Sequence, residues 1–415
     1  MCRLALALSD LPRKPRLASI VLLFLDSAAL LLAFLVAFLF FEILAALVLH
    51  PLRETELSLN SETPEPAAVI VPAHNESAGI LSTLNDIRLQ LRPGDRLLVV
   101  ADNCSDDTAF IAAKAGAEVV ERNDLLNIGK GYALEFAIKY LSSKPPAVVV
   151  IIDADCRIAE GTLDRLVKMC ATTRRPVQAL DLMTAPEETP VNYCVAEFAW
   201  RVKNWVRPLG LNALNLPCQL MGTGMAFPWE IIRSANLGTG SVVEDLKLGL
   251  ELAEMGTPPL FCPSARVTSP FPLTAEAAMR QRKRWEGGHI NLILSALPRL
   301  IPRSLARRNF DLLVLTLDLA IPPVSMLAML LCIEFFIAGF LALFGLSSLC
   351  LIISFLSIVL FGLGIFACWV KFGRDVLPPS AALSVATYVL KKIPLYFRLL
   401  SRNTVLQWTK TDRNA

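Results

Sequence analysis

The sequence predicts an α/β domain set among membrane-spanning helices, and two observations carry that expectation. Hydrophobic residues make up 54% of the 415 and mean hydropathy is +0.52, with the excess gathered into blocks at 17–50, 310–344 and 349–370. Between the first and second blocks, short β-branched runs alternate with helix-like stretches. That alternation is the pattern of a mostly parallel sheet with helices on both faces.

The elements follow in order. The first block is interrupted only by Asp26 and Glu42. At about 1.5 Å of rise per residue it exceeds a ~30 Å hydrocarbon core, and it is too long for a signal-peptide core. One tilted helix with an interfacial extension is expected for 1–50, with a tight hairpin of two short spans as the alternative. Residues 51–66 are polar and proline-containing and read as a linker. The α/β domain is expected over 67–273. AAVIVPA, RLLVVAD, AEVVER and AVVVIID are its strand-like runs, and DDTAFIAAKAG and GYALEFAIKYL are helix-like. Residues 274–308 are basic and amphipathic; Thr274–Ser295 and Pro302–Arg308 would suit helices lying in the membrane interface. Two spans are expected in 309–371, the first carrying Pro322–Pro323, with the short uncharged loop 345–348 between them. A basic amphipathic tail follows at 372–415.

Charge gives an orientation. Arg303, Arg307 and Arg308 precede the second block, and Lys371 and Arg374 follow the third. Both flanks should be cytoplasmic, which places the α/β domain on the cytoplasmic side of an inner or plasma membrane. With a single first span, Arg3, Arg13, Lys14 and Arg16 pull the other way. The net charge of +3 and the lack of an arginine stripe exclude a nucleic-acid binder. Ten cysteines without a CxxC pair, and only three histidines, read as scattered buried thiols in a reducing compartment rather than a zinc site or disulfide framework.

The chemistry-bearing residues collect where strands should end. The first strand runs into Pro72-Ala73-His74-Asn75-Glu76, the second into Asp102-Asn103-Cys104-Ser105-Asp106-Asp107, and the fourth into Asp153-Ala154-Asp155. Each alone is ordinary turn chemistry. Three together should converge on one crevice, because open α/β sheets bind ligands at the carboxyl ends of their strands. Asp153 and Asp155, if extended, point to one side. Paired carboxylates without histidine or cysteine suit Mg²⁺ or Mn²⁺ shared with substrate phosphates. Gly129-Lys130-Gly131 would let the backbone approach a ligand closely and bring an ammonium to a diphosphate. Glu244-Asp245 opens a helix-like stretch, where acids also serve as simple N-terminal chemistry. Gln281-Arg282-Lys283-Arg284-Trp285 packs an amide, three cations and an indole together; it suits a diphosphate and a sugar ring, or a basic membrane-surface anchor.

Taken in order, PAHNE at 72–76, ADNCSDDT at 101–108, NIGKGYAL at 127–134, DAD at 153–155, ED at 244–245 and QRKRW at 281–285 resemble the membrane-bound family 2 glycosyltransferases. The similar branch contains cellulose, chitin, hyaluronan and poly-N-acetylglucosamine synthases. The resemblance covers about residues 67–290 and implies a GT-A, Rossmann-like, nucleotide-sugar-binding domain. It also implies roles. Glu76 and Asp102, with Pro72 beside them, would hold the nucleoside, and Lys130 would lie near the base or diphosphate. Asp153 and Asp155 would line the diphosphate and its Mg²⁺ or Mn²⁺. Asp245 would be the general base, oriented by Glu244. Gln281, Arg284 and Trp285 would bracket the acceptor end and the leaving diphosphate, over a floor of Gly222, Thr223 and Gly224.

The implied activity is an inverting hexosyl transfer from a nucleotide-sugar, with UDP as the expected nucleotide. The acceptor would be a growing polysaccharide or a lipid-linked saccharide, in cell-surface glycan or exopolysaccharide synthesis alongside export components. Transfer of one sugar to a ceramide- or diacylglycerol-type membrane lipid is the alternative. A nucleotide-binding transporter subunit is the distant one.

Overall fold

The computed structural model describes residues 13–49, 66–186, 191–345 and 349–401. Most of the expected linker (51–65), the loop 346–348, the last part of the tail (402–415) and Arg3 lie outside the described residues.

An eight-stranded mixed sheet forms the centre, in the order β3-β2-β1-β4-β7-β6-β8-β5. The four expected runs become β1 (Ala67–Ala73), β2 (Arg96–Asp102), β3 (Glu118–Arg122) and β4 (Val148–Ile151), all parallel. The second half adds β5 (Arg157–Ile158), β6 (Val177–Thr184), β7 (Met225–Pro228) and β8 (Leu260–Pro270). Here β7 runs antiparallel to β4 and β6, while β6 and β8 are parallel with an irregularity between Ala179 and Leu180.

Period-2 alternation splits the apolar residues between two faces. Val69, Val71, Val99 and Val150 pack with Ile80, Leu84, Leu163 and Leu166 of two covering helices. Ile70, Leu98, Val149 and Ile151 face the other way, onto Ala133, Leu134 and Leu141 of the helix Lys130–Leu141.

The first apolar block is one helix, α1 (Arg13–Val48), not a hairpin. Its outer part meets the last apolar helix, Leu349–Phe372, where Cys350 Sγ lies 3.9 Å from Leu25 O. Further along, Gly364 packs against Phe40 and Ile43. The two helices therefore run in the same direction. The start of α1, with Arg13, Lys14 and Arg16, lies at the end remote from the α/β domain.

Two sequence expectations change. The stretches Thr274–Ser295 and Pro302–Arg308 are one continuous 32-residue helix, Ala275–Ala306, with Pro298 and Pro302 inside it. Spaced four apart, those prolines remove N–H donors from a single helix face, so the rest of the ladder persists. The apolar block 310–344 is not one span. Pro322–Pro323 divides it into Phe310–Ala320, packed beneath the domain against Leu246, Leu250 and Leu300, and Val324–Leu343. Three helices are long and apolar enough to cross a membrane: Leu22–Val48, Val324–Leu343 and Leu349–Phe372. A final amphipathic helix, Ala382–Ser401, lies back across Val324–Leu343 and the helix Val191–Arg201.

One apolar cluster joins the spans to the domain. It takes Val36, Leu39 and Ile43 from α1, Phe198 and Val202 from the segment after β6, and Cys368 and Phe372 from the last apolar helix.

Candidate active site

The parallel strands β1, β2 and β4 all deliver their carboxyl ends to one edge of the sheet. A cavity of about 330 Å³ opens there. Pro72, Glu76, Asp102, Lys130, Asp153, Asp155, Gly222, Thr223, Glu244, Asp245, Gln281, Arg284 and Trp285 all line it. Gly224 does not; it sits behind the wall, where its carbonyl accepts from Ala179 N at 2.8 Å.

At the β1–β2 end, two asparagines hold left-handed turns, Asn75 at φ 56 and Asn103 at φ 52. A short polar side chain tolerates that conformation best after glycine. Asp102 is 5% exposed and accepts from Arg122 Nη1 at 2.6 Å. Burial raises its carboxyl pKa above the ordinary aspartate value, against the pull of Arg122. His74 Nδ1 lies 2.7 Å from the Asp102 carbonyl. Asp106 fastens the adjoining loop. Burial opposes its charge, but hydrogen bonds from Thr108 and Ser77 hold its carboxyl down to about 2.

The strand β4 ends before its acidic pair. Residues 153–156 make a turn closed by Cys156 N donating to Asp153 O at 3.2 Å, so Asp153 and Asp155 are not extended, although both still face the cavity. Lys130 forms a salt bridge with Asp153 and donates to Gly222 O at 2.8 Å. Burial works against the Lys130 charge, but Asp153, Glu244 and Asp245 outweigh it and hold the ammonium above the usual lysine range. Gly131 packs closely on its surroundings. A Cβ there would meet Leu237 O at 2.2 Å, so the glycine admits a neighbouring loop.

Thr223 Oγ1 accepts from Asp153 N at 3.0 Å, and Cys156 Sγ lies 3.4 Å from the same oxygen. Behind them Gln178, fully buried, ties the floor down. Its amide donates to Thr223 O and its oxygen accepts from Met221 N, each at 2.8 Å.

Glu244 and Asp245 occupy the first turn of the helix Glu244–Glu254. Its N-terminal dipole favours their charge, yet both carboxyls are raised. For Glu244 the causes are burial and then the Asp245 charge, against Lys130. For Asp245 burial dominates, against its helix N–H contact, Lys203 and Lys130. A Cβ on Gly222 would sit 3.3 Å from Asp245 Oδ2 and 3.8 Å from Lys130 Nζ. The helix-opening acids therefore meet the end of β4 across one small residue.

The QRKRW residues lie on the helix Ala275–Ala306. Gln281 is 2% exposed, and Trp285 packs on Trp200 with ring centroids 5.1 Å apart. The same helix brings Glu286 to Lys392 of the final helix at 2.5 Å, with Ser325 3.2 Å from that ammonium. Ser325 belongs to the first turn of the span Val324–Leu343, and it lines the cavity with Tyr388 and Lys392.

Sequence reasoning missed several of these groups. Gln178, Trp200, Lys203, Arg207 and Lys392 sit in segments without a recognisable motif. A π-helical turn at Val202–Val206 carries Lys203; such turns cluster at functional sites but leave no sequence pattern.

Two carboxylates, Asp153 and Asp155, are the oxygen donors offered to a hard divalent cation. Among the described residues no three His, Cys, Asp or Glu side chains gather as a metal site of their own. That donor set fits Mg²⁺ or Mn²⁺ bound jointly with substrate phosphates, the usual arrangement for a cation that keeps few protein ligands.

Fold and cavity define a GT-A-like glycosyltransferase α/β domain accompanied by three apolar helices that could span a membrane. The family model described as "Glycosyltransferase like family 2" matches residues 64–288, more than half of the chain, and the chain belongs to that family. An uncharacterised glycosyltransferase of Mycobacterium tuberculosis is 34% identical over 119 residues, 27% of this chain and 50% of its own length. The probable glycosyltransferase YdaM of Bacillus subtilis is 27% identical over 274 residues, 59% of this chain and 60% of its own. The chain thus spans half to three-fifths of the length of these relatives. Among solved structures, the mannosyltransferase PcManGT from Pyrobaculum calidifontis, in complex with GDP-Man and Mn²⁺, aligns with a TM-score of 0.50 at 18% identity. The alignment covers 85% of this chain and 99% of that one, a likeness of fold.

Proposed function

We propose that the protein is an inverting, membrane-bound glycosyltransferase that moves a hexose from a nucleotide-sugar, UDP being the expected nucleotide, to an acceptor carried by the membrane. The observation that supports this most is the continuity of the cavity. It runs from the strand-end carboxylates, past Glu244 and Asp245, to Ser325 in the first turn of a span.

In this reading Pro72, Glu76 and Asp102 border the nucleoside. Asp153 and Asp155, together with the donor diphosphate, would hold Mg²⁺ or Mn²⁺, which supplies charge compensation for the leaving nucleotide. Lys130 leaves Asp153 to face the diphosphate, and Arg284 adds a fork for its oxygens. Asp245, oriented by Glu244, takes the proton from the acceptor hydroxyl as that oxygen attacks the anomeric carbon. A single displacement inverts the anomeric centre. The diphosphate leaves without an acid, so one carboxylate base suffices. Gln281 and Trp285 bracket the acceptor, above Gly222 and Thr223.

A lipid or lipid-linked saccharide is favoured over a freely soluble acceptor, because span and interfacial residues form the far wall. The resemblance of the ordered motifs to polymerising synthases keeps a growing polysaccharide within the same class, with export components as its partners. The α/β domain is assigned to the cytoplasmic side from the basic flanks of the last two spans. The test uses membranes containing the full chain and a donor labelled in its sugar. Label should enter the solvent-extractable or membrane-retained fraction, and the anomeric configuration should invert. Label confined to soluble oligosaccharide would overturn the membrane-acceptor reading.

A further inference from the structure

The far wall of the cavity carries a polar cluster that the roles described above leave unassigned. Lys392, on the final helix Ala382–Ser401, donates to Glu286 Oε1 at 2.5 Å, to Ser325 Oγ at 3.2 Å and to Tyr396 OH at 3.5 Å. The three protons of the ammonium are thereby taken up. Ser325 Oγ and Tyr396 OH lie 2.6 Å apart. Arg282 donates to Ala278 O at 3.3 Å and to Tyr388 OH at 3.4 Å. Three elements meet in this cluster: the QRKRW helix, the first turn of the span Val324–Leu343, and the final helix. Glu286, Ser325, Tyr388 and Lys392 all line the cavity.

Two polar side-chain atoms of the QRKRW helix are buried without a hydrogen bond among the described residues, Glu286 Oε2 and Gln281 Nε2. Protein interiors satisfy nearly all such atoms, so each exception calls for a reason. One of the two is an acceptor and the other a donor. An ionised phosphate only accepts and an ammonium only donates, whereas a sugar hydroxyl does both. Glu286 and Lys392 together are charge-neutral, so the pair gives a charged headgroup no net attraction. Trp200, Trp285 and Tyr388 line the same space. Aromatic walls with a few fixed polar groups are the usual means of orienting a small ligand.

We infer that Glu286 belongs to an acceptor subsite for an uncharged sugar headgroup carried on a lipid, where its second carboxylate oxygen accepts a hydrogen bond from a headgroup hydroxyl. Lys392, braced by Ser325, holds the first oxygen. The Gln281 amide donates to another hydroxyl of the same headgroup. The inference rests on the reading of the cavity as a glycosyltransferase site with a membrane-borne acceptor. It narrows that reading to a saccharide headgroup in place of a bare ceramide or diacylglycerol. The lipid follows from position. Ser325 opens a helix long and apolar enough to cross a membrane, and the amphipathic final helix packs against that span. A sugar seated between them has its carrier lipid beside it.

The experiment is photo-crosslinking of the full chain in nanodiscs. One probe is an alkyl β-glucoside with a diazirine in its chain; the other is the alkyl phosphate with the same chain. Mass spectrometry locates the adducts. The glucoside should label the helices 275–306 and 382–401 saturably, and the phosphate should not. In Glu286→Gln, which puts an amide donor where the acceptor stood, half-saturation should need about tenfold more glucoside or more, the effect of losing a hydrogen bond to a charged group. The double variant Glu286→Gln, Lys392→Met removes the buried ammonium as well and serves if the single one folds poorly. Half-saturation unmoved in these variants, or equal labelling by the phosphate, overturns the inference. Methyl β-glucoside at the same concentration should leave the labelling intact. Displacement by it would place the hydroxyls on a soluble sugar and overturn the lipid-borne headgroup.

The two readings fail separately, because the binding measurement needs neither donor nor turnover. Saturable labelling that depends on Glu286, in a chain that releases nucleotide from no donor, removes the enzymatic reading and leaves the subsite. Sugar transfer into the membrane fraction, beside labelling that Glu286→Gln leaves unchanged, removes only the subsite.

Discussion

Gln178 is a side chain whose value depends on its surroundings. It is fully buried in β6, and it donates to the carbonyls of Thr223 and Ala179 while accepting from Met221 N. Those bonds fix the loop whose Gly222 carbonyl receives Lys130. Gln178→Ala strands buried backbone groups, an effect of about 1–3 kcal/mol. Its loop should loosen, lowering the melting temperature and weakening donor turnover together; unchanged values of both would show the loop is held by other means. Asp106 makes a prediction of opposite character. Its folded-state carboxyl lies near 2, against an ordinary 3.8. The stability it contributes is present above 3.8 and disappears as pH falls from there through 2. The melting-temperature gap between wild type and Asp106→Asn should therefore narrow over that interval and be constant above it. None of the bonds of Gln178 could be read from VQALDLMT, where a glutamine and an aspartate argue against a buried strand. The acidic strand ends were legible because three of them recur after apolar runs.

At the scale of elements, hydropathy separates apolar from polar stretches but not lipid from protein. Phe310–Ala320 reads like membrane helix and instead packs under the domain, because Pro322–Pro323 ends it and Asp318 is drawn to Arg207. β1 to β4 were legible as β-branched runs with clean boundaries. β8 was not, since LFCPSARVTSP mixes proline, serine and arginine into a strand whose burial alternates only from Ala265 onward, after the adjacent buried pair Phe261 and Cys262. The short helix Arg207–Ala213 meets α1 closely: a Cβ on Gly210 would lie 1.9 Å from Glu42 O. Gly210→Val should force these helices apart, at a cost of about 1–3 kcal/mol. Gly362, with nothing within 4 Å, provides the control: Gly362→Ala should leave the melting temperature unchanged. Equal behaviour of the two variants would contradict the close approach.

Across the whole molecule, membrane helices and catalytic domain are tied by a buried triad. Arg207 lies between Glu42 of the first span and Asp318, and all three are at most 5% exposed. Removing the cation alone leaves two buried carboxylates facing each other, a loss of about 3–5 kcal/mol. Arg207→Met should fold poorly, while the triple replacement Glu42→Gln, Arg207→Met, Asp318→Asn should recover much of the loss, as judged by monodisperse yield in detergent. Equal yields of the single and triple variants would contradict charge compensation. This coupling was invisible in the sequence, where Glu42 is a lone acid in an apolar block 165 positions from its partner. The triad also borders the same cavity as Asp245 and Lys203 through Arg207, so the anchorage of the first span and the geometry of the base share a wall.

The central claim is that this cavity transfers sugar from a nucleotide with Asp245 as base. The most direct measurement is nucleotide release by the full chain in membrane vesicles, supplied with a panel of UDP- and GDP-sugars and with Mg²⁺ or Mn²⁺. Release from at least one donor is expected, falling about 10²- to 10⁴-fold in Asp245→Asn while donor affinity is retained. Release that Asp245→Asn leaves at the wild-type rate, or a wild-type chain that releases nucleotide from no donor, would contradict it.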